Sequence, residues 1–116
     1  MSDGRMRRVD EAVREVLSDA IATDLSDPRV GFVTVTAVKT SSDLRHARVY
    51  VSILGDEQQR ERTLQALQAA HGFLQGRLAA QLSLKHTPLL AFHFDPSVQR
   101  GMRITQLLEQ EPPPHA

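Results

Sequence analysis

The chain has 116 residues, 41% hydrophobic and 24% charged, with fourteen basic and fourteen acidic side chains and no cysteine. That length suits a single domain, because halves would leave two cores too small to hold themselves together, and the missing cysteine excludes disulfides, thiolate metal sites and cysteine nucleophiles. The zero net charge hides a gradient: residues 1–30 carry seven acids against five Arg, whereas residues 61–105 carry five bases against Glu61 and Asp95.

The N-terminal stretch MSDGRMRRVDEAVREV is charged and lacks the apolar run of a signal peptide or membrane span, so a cytoplasmic protein is expected. Val9, Ala12, Val13, Val16, Leu17, Ala20 and Ile21 fall at helical spacing and predict an amphipathic helix over about residues 6–24. Ser26-Asp27-Pro28 stops it, since Pro28 biases Asp27 away from helical backbone. A strand follows over Phe32–Lys39, dense in β-branched residues, with Val33, Val35 and Ala37 on one face and Phe32, Thr34, Thr36 and Val38 on the other. After the polar turn Ser41-Ser42-Asp43, a second strand alternates Ala47, Val49, Val51 and Ile53 with Arg48, Tyr50 and Ser52, which predicts an antiparallel hairpin. Asp56 and Glu57 suit the start of a second helix, with Leu64, Ala66, Leu67 and Ala70 as its apolar stripe. The pattern resumes at Phe73, Leu74, Leu78 and Leu82. Gly72 between the blocks leaves two possibilities, one long helix or two meeting at a bend with close backbone approach. Thr87-Pro88 breaks the pattern before a third strand, Leu89–Asp95, where Leu90, Phe92 and Phe94 share a face. Val98, Met102, Thr105 and Leu108 mark a final short helix.

The order α-β-β-α-(kink)-α-β-α, with three strands in one sheet and helices on one face, is an α+β fold. Residues 1–108 form the expected domain and residues 109–116 a disordered Pro-rich tail.

Four stretches carry a resemblance. They are Asp27-Pro28-Arg29-Val30-Gly31; Asp43-Leu44-Arg45-His46-Ala47-Arg48-Val49-Tyr50-Val51-Ser52; Ala66-Leu67-Gln68-Ala69-Ala70-His71-Gly72-Phe73-Leu74; and Pro88-Leu89-Leu90-Ala91-Phe92-His93-Phe94-Asp95, running into Ser97 and Gly101. In this order and at these spacings, from Met6 to Leu108, the chain resembles the ribosome-binding factor A family, a type II KH-like domain with an Ala-x-Gly kink at Ala70 and Gly72. The resemblance implies binding to the small (30S) ribosomal subunit and its 16S ribosomal RNA, help in late maturation and RNA end processing, and growth in the cold. It implies no catalysis, cofactor, metal, membrane or small-molecule substrate. A monomer is expected. The chain departs from other KH domains in having Gly72 and Gly76 as Gly-x-x-x-Gly inside a helical pattern, not a Gly-x-x-Gly clamp.

Any one base here is most simply solvated surface. Granted the fold, phosphate contacts become the expectation, because phosphates supply most nucleic-acid affinity. Arg77 and Lys85, placed on the helix after the kink, come first. Arg100 and Arg103 are next, Arg7 and Arg8 form an N-terminal arm, and His71 sits exposed at the bend. Arg29 equally suits a role in holding a helix end. Tyr50 and Phe73 fit a strand face or the core. Charge reversal of Asp10 and Asp19, on the first helix, is expected to matter little to subunit association. His93 and Asp95 share a strand face with His86 nearby, but two ligands fall short of a closed zinc site, and a polar strand face with Asp95 as a cap is the simpler expectation. No Gly-rich phosphate loop or Gly-x-Ser-x-Gly motif supports an enzyme. The alternatives are a KH-like module for other RNA and a small α+β protein-interaction domain. A contiguous basic face favours RNA; an exposed apolar patch favours protein.

Overall fold

Apolar residues recurring at three- and four-residue steps line one side of a helix. In the computed structural model, which describes residues 2–25 and 27–97, that side belongs to α1 (Ser2–Thr23), where Val13, Leu17 and Ala20 are completely buried. The helix starts four residues before the expected residue 6, in a polar turn that periodicity does not mark. At its end the N–H groups of Asp24 and Leu25 both donate to the Ala20 carbonyl, at 2.9 and 3.0 Å. Asp27 then folds a turn over Pro28: its Oδ1 accepts from the Arg29 N–H at 2.9 Å and its carboxylate pairs with the Arg29 guanidinium at 2.8 Å. The guanidinium and then the backbone N–H hold the Asp27 carboxyl below the usual carboxylate range. In turn the Arg29 carbonyl accepts from Thr63 Oγ1 at 3.2 Å and Gln59 Nε2 at 3.3 Å. The Asp-Pro-Arg motif is thereby anchored on α2 (Glu57–Ala69), through a Thr63 that is fully buried.

The sheet contains β1 (Val33–Thr40), β2 (His46–Ile53) and β3 (Leu89–Phe94), in that spatial order. β1 and β2 form the antiparallel hairpin, and β3 returns parallel to β2 through α2 and α3 (His71–Gln81). α1, α2 and α3 all cover one face. Ala47, Val49, Val51 and Ile53 are buried beneath them, as are Leu90 and Phe92, in agreement with the alternation. β1 departs from it. A bulge between Val35 and Ala37 makes Thr36 an extra residue, so the inward side passes from Val33 and Val35 to Val38, not to Ala37. One inserted residue reverses the phase of every later side chain.

Asp56 caps α2 by accepting from the Gln59 N–H at 2.8 Å, as an acid at that position predicts. Two helices, not one, follow. They meet at Ala70 (φ −88°, ψ 8°), whose N–H is shared between the carbonyls of Ala66 and Leu67 at 3.0 and 3.1 Å, a tightened last turn. The expected close approach at Gly72 is absent: a Cβ built there meets nothing within 4 Å. The bend also shifts the helical phase, so Leu74 and Leu78 are buried while Phe73 is 45% exposed and not core. The predicted final helix over residues 98–108 and the tail at 109–116 lie outside the described residues.

Candidate nucleic-acid interface

Strand directions decide which loops meet. β1 ends, and β2 and β3 begin, at the same end of the sheet, because His46 pairs with Leu89 and Ala47 with both Thr40 and Leu90. That end therefore collects the β1–β2 turn and the α3–β3 connection, and the N-terminal turns of α1 lie against them. Together they line a cleft of about 530 Å³ formed by Arg5, Met6, Val9, Ser42–Arg45 and Ser83–His86. Arg5, Arg45 and Lys85 are exposed there, so three segments far apart in sequence bring cations to one hollow. His86 adds a half-buried imidazole to the wall. Arg7 and Arg8 sit exposed on the same turns of α1.

One acid faces the cleft. Asp43 Oδ1 accepts from Ser41 Oγ at 2.6 Å and from the Arg45 N–H at 3.1 Å. The Ser41 hydroxyl first, then the Arg45 N–H and the charges of Arg45 and His46, keep its carboxyl below the ordinary range, so it is ionised at neutral pH. Between them Leu44 holds a left-handed backbone, φ 63°. A branched residue there costs about 1–3 kcal/mol, so the turn gives up stability at the rim of the cleft.

The basic residues expected from sequence are divided by the fold. Lys85 lies in the cleft, although on the connection after α3 and not on the helix itself. Arg77 does not join it. Its guanidinium pairs with Asp24 and lies 3.9 Å from Asp19, which pins α3 to the end of α1. Its side chain is only 28% exposed. Arg62 stands on α2, apart from both, so the excess of bases over residues 61–105 is not one face among the described residues. His71 is exposed at the bend, with Nδ1 2.7 Å from the Gln68 carbonyl. Arg100 and Arg103 fall outside the described residues. His93 lies on the open sheet face with its ring 5.7 Å from that of Tyr50, and Asp95 Oδ2 accepts from Thr36 Oγ1 at 2.6 Å. Among the described residues, no group of three or more His, Asp or Glu is placed to hold a metal, and no helix is long and apolar enough to cross a membrane.

Arg5, Arg45 and His86 were not among the expected contacts. The cue lay in the chain order, since a parallel third strand must begin beside the hairpin turn. Chemically, the arrangement offers long cationic side chains around an open hollow with polar Ser donors. Such a surface suits a flexible polyanion better than a small molecule, whose pockets are mostly apolar with a few convergent polar groups.

The family model described as ribosome-binding factor A matches residues 5–108. A ribosome-binding factor A of Natranaerobius thermophilus is 42% identical over 110 residues, covering 95% of this chain and 84% of that protein. The crystal structure of ribosome-binding factor A from Thermus thermophilus superposes with a TM-score of 0.69 at 31% identity, over 76% of this chain and 93% of that one. A homology model of the Thermus thermophilus factor, fitted into a cryo-EM map of its complex with the 30S subunit, gives 0.63 at 31% identity, over 75% and 91% of the two chains.

Proposed function

Because the chain belongs to the ribosome-binding factor A family, we propose that it binds the small ribosomal subunit in the cytoplasm, contacts 16S ribosomal RNA through phosphates, and assists late maturation and end processing. The observation that carries the proposal is the cleft, where Arg5, Arg45 and Lys85 converge from three segments around the turn with the strained Leu44. The Thermus relative placed on a 30S subunit supports the choice of partner. Within this scheme Lys85, Arg5 and Arg45 take phosphates first, Arg7 and Arg8 extend the contact along α1, and Arg100, Arg103 and His71 are further proposed contacts. Arg77 serves the fold, holding α3 on α1. The role requires no cofactor and no catalytic step, and its loss should slow growth most in the cold.

Sedimentation of a cell extract on a gradient tests the proposal. The protein should travel with free small subunits and not with mature ribosomes. Lys85→Glu combined with Arg5→Glu should move it to the top of the gradient while circular dichroism stays unchanged. Wild-type protein found only at the top would sink the idea.

One observation favours an additional protein contact. At the opposite end of the sheet Phe32 and Leu54 are neighbours across the hairpin, joined by a 3.1 Å backbone bond, and are 81% and 60% exposed. If a subunit protein docks there, Phe32→Ser should weaken association with subunits but not with naked RNA.

A further inference from the structure

The sheet face turned away from the helices carries a charge arrangement that folding does not explain. Lys39 and Arg48 stand directly opposite each other across the β1–β2 ladder, and both are exposed. Like charges at such a position destabilise a hairpin. Among the described residues neither forms an ion pair with a carboxylate. Beside them is exposed His46, and Lys39, Thr40, Ser41, His46 and Arg48 line a shallow depression of about 220 Å³ with no acid on its wall. The depression shares no residue with the cleft, yet Arg45 lines one and His46 the other, so the two meet at the start of β2.

We propose that this depression is a second phosphate-binding position, which takes the backbone of an RNA strand as it leaves the cleft and crosses the β1–β2 turn. The inference rests on the small-subunit function proposed above. The chemistry fits a phosphodiester: the Arg48 fork and the Lys39 ammonium supply charge-assisted donors from two strands, and the exposed His46 ring stands at the rim. An unpaired repulsion that costs stability in the free protein is relieved when an anion settles between the two cations.

The test compares the full chain, the Lys39→Gln/Arg48→Gln double variant and Lys85→Gln for binding to purified small subunits and to naked 16S RNA across a salt series. Losing this one phosphate position should lower the slope of log affinity against log salt by about 0.7 to 0.9 and weaken binding roughly tenfold at low salt. The urea midpoint of the double variant should stay at or above that of wild type, which a structural role for the pair would not allow. Wild-type affinity and slope in the double variant, with both reduced by Lys85→Gln, would overturn the second position and leave the cleft standing. Weaker binding to subunits with unchanged binding to naked RNA would assign the face to a protein and also overturn it. Failure of wild type to bind either target would remove the small-subunit function and the inference together.

Discussion

Gly55 and Gly72 differ in what they demand of a side chain. Gly55 adopts φ +131°, and a Cβ there would come within 2.8 Å of Gln59 Cγ and 2.9 Å of its Cβ. Gly55→Ala should therefore cost about 1–3 kcal/mol through backbone strain and contact. Gly72, exposed in the first turn of α3 with open space around it, only loses helix propensity, so Gly72→Ala should gain up to about 1 kcal/mol and leave the bend at Ala70 in place. Urea unfolding should move the two midpoints in opposite directions; destabilisation by Gly72→Ala would show a crowding that the backbone does not reveal. Asp43 carries the other residue-level prediction. Its folded carboxyl titrates below the ordinary range, so its stabilising effect is present above the unfolded value and lost as pH falls through the folded one. Asp43→Asn retains an oxygen for Ser41 but removes the charge. The variant should lose less stability than wild type on acidification. At neutral pH it should bind RNA about two- to fivefold more tightly, because a like charge no longer faces the phosphates. Filter retention at pH 7 and unfolding along an acid series check the two halves.

Each outer edge of the sheet is hydrogen-bonded to a side chain from a helix. Gln68 on α2 donates to the Leu90 carbonyl at 3.1 Å and accepts from the Phe92 N–H at 3.3 Å, satisfying the free edge of β3. On the other side Asp10 of α1 accepts from the Thr40 N–H at 2.8 Å. Open edges invite pairing with other chains. Gln68→Leu and Asp10→Ala should each cost about 1–3 kcal/mol, because a partly buried backbone group loses its partner, and light scattering should report more association for both. Asp10→Asn should be milder, since it keeps an acceptor. Unchanged midpoints in all three would mean that water replaces these bonds without loss. Asp10 thus has a part in the fold, and Asp19 stands 3.9 Å from Arg77 across α1 and α3, neither of which the charge pattern of the first helix shows. The elements themselves were legible in the sequence because period 3.6 and period 2 are local properties of Val13–Ile21 and Ala47–Ile53. The bulge at Thr36 was not legible, since it depends on which residue of β2 each residue of β1 meets. Nor was the fate of Arg77: its partners Asp19 and Asp24 lie more than fifty residues away in sequence and only packing brings them close.

Zero net charge conceals a gathering of cations at one end of the sheet. Strand direction and the cleft place Arg5, Lys39, Arg45, Arg48 and Lys85 toward the end where β2 begins, while Asp56 and Glu57 follow its other end, with Arg60, Glu61 and Arg62 next along α2. Sequence alone divided the charges by position along the chain and so missed this, because Arg5 and Lys85 are eighty residues apart and Arg45 stands between them. The eight residues of β2 span roughly 26 Å, about three Debye lengths at physiological salt. Charges at the far end should therefore be screened from RNA held in the cleft, and local charge should govern binding instead of the total. Two variants that change net charge by two units separate these possibilities. Glu57→Gln with Glu61→Gln raises the net charge at the far end, and the affinity for small subunits at physiological salt should stay within about twofold of wild type, as screening requires. Arg5→Gln with Lys85→Gln lowers the net charge at the cleft; affinity should fall about tenfold or more, and the salt slope should drop by about 1.5 as two phosphate contacts are lost. If both variants shift affinity by comparable factors in opposite directions, binding follows the total charge of the protein and the cleft has no special place in it.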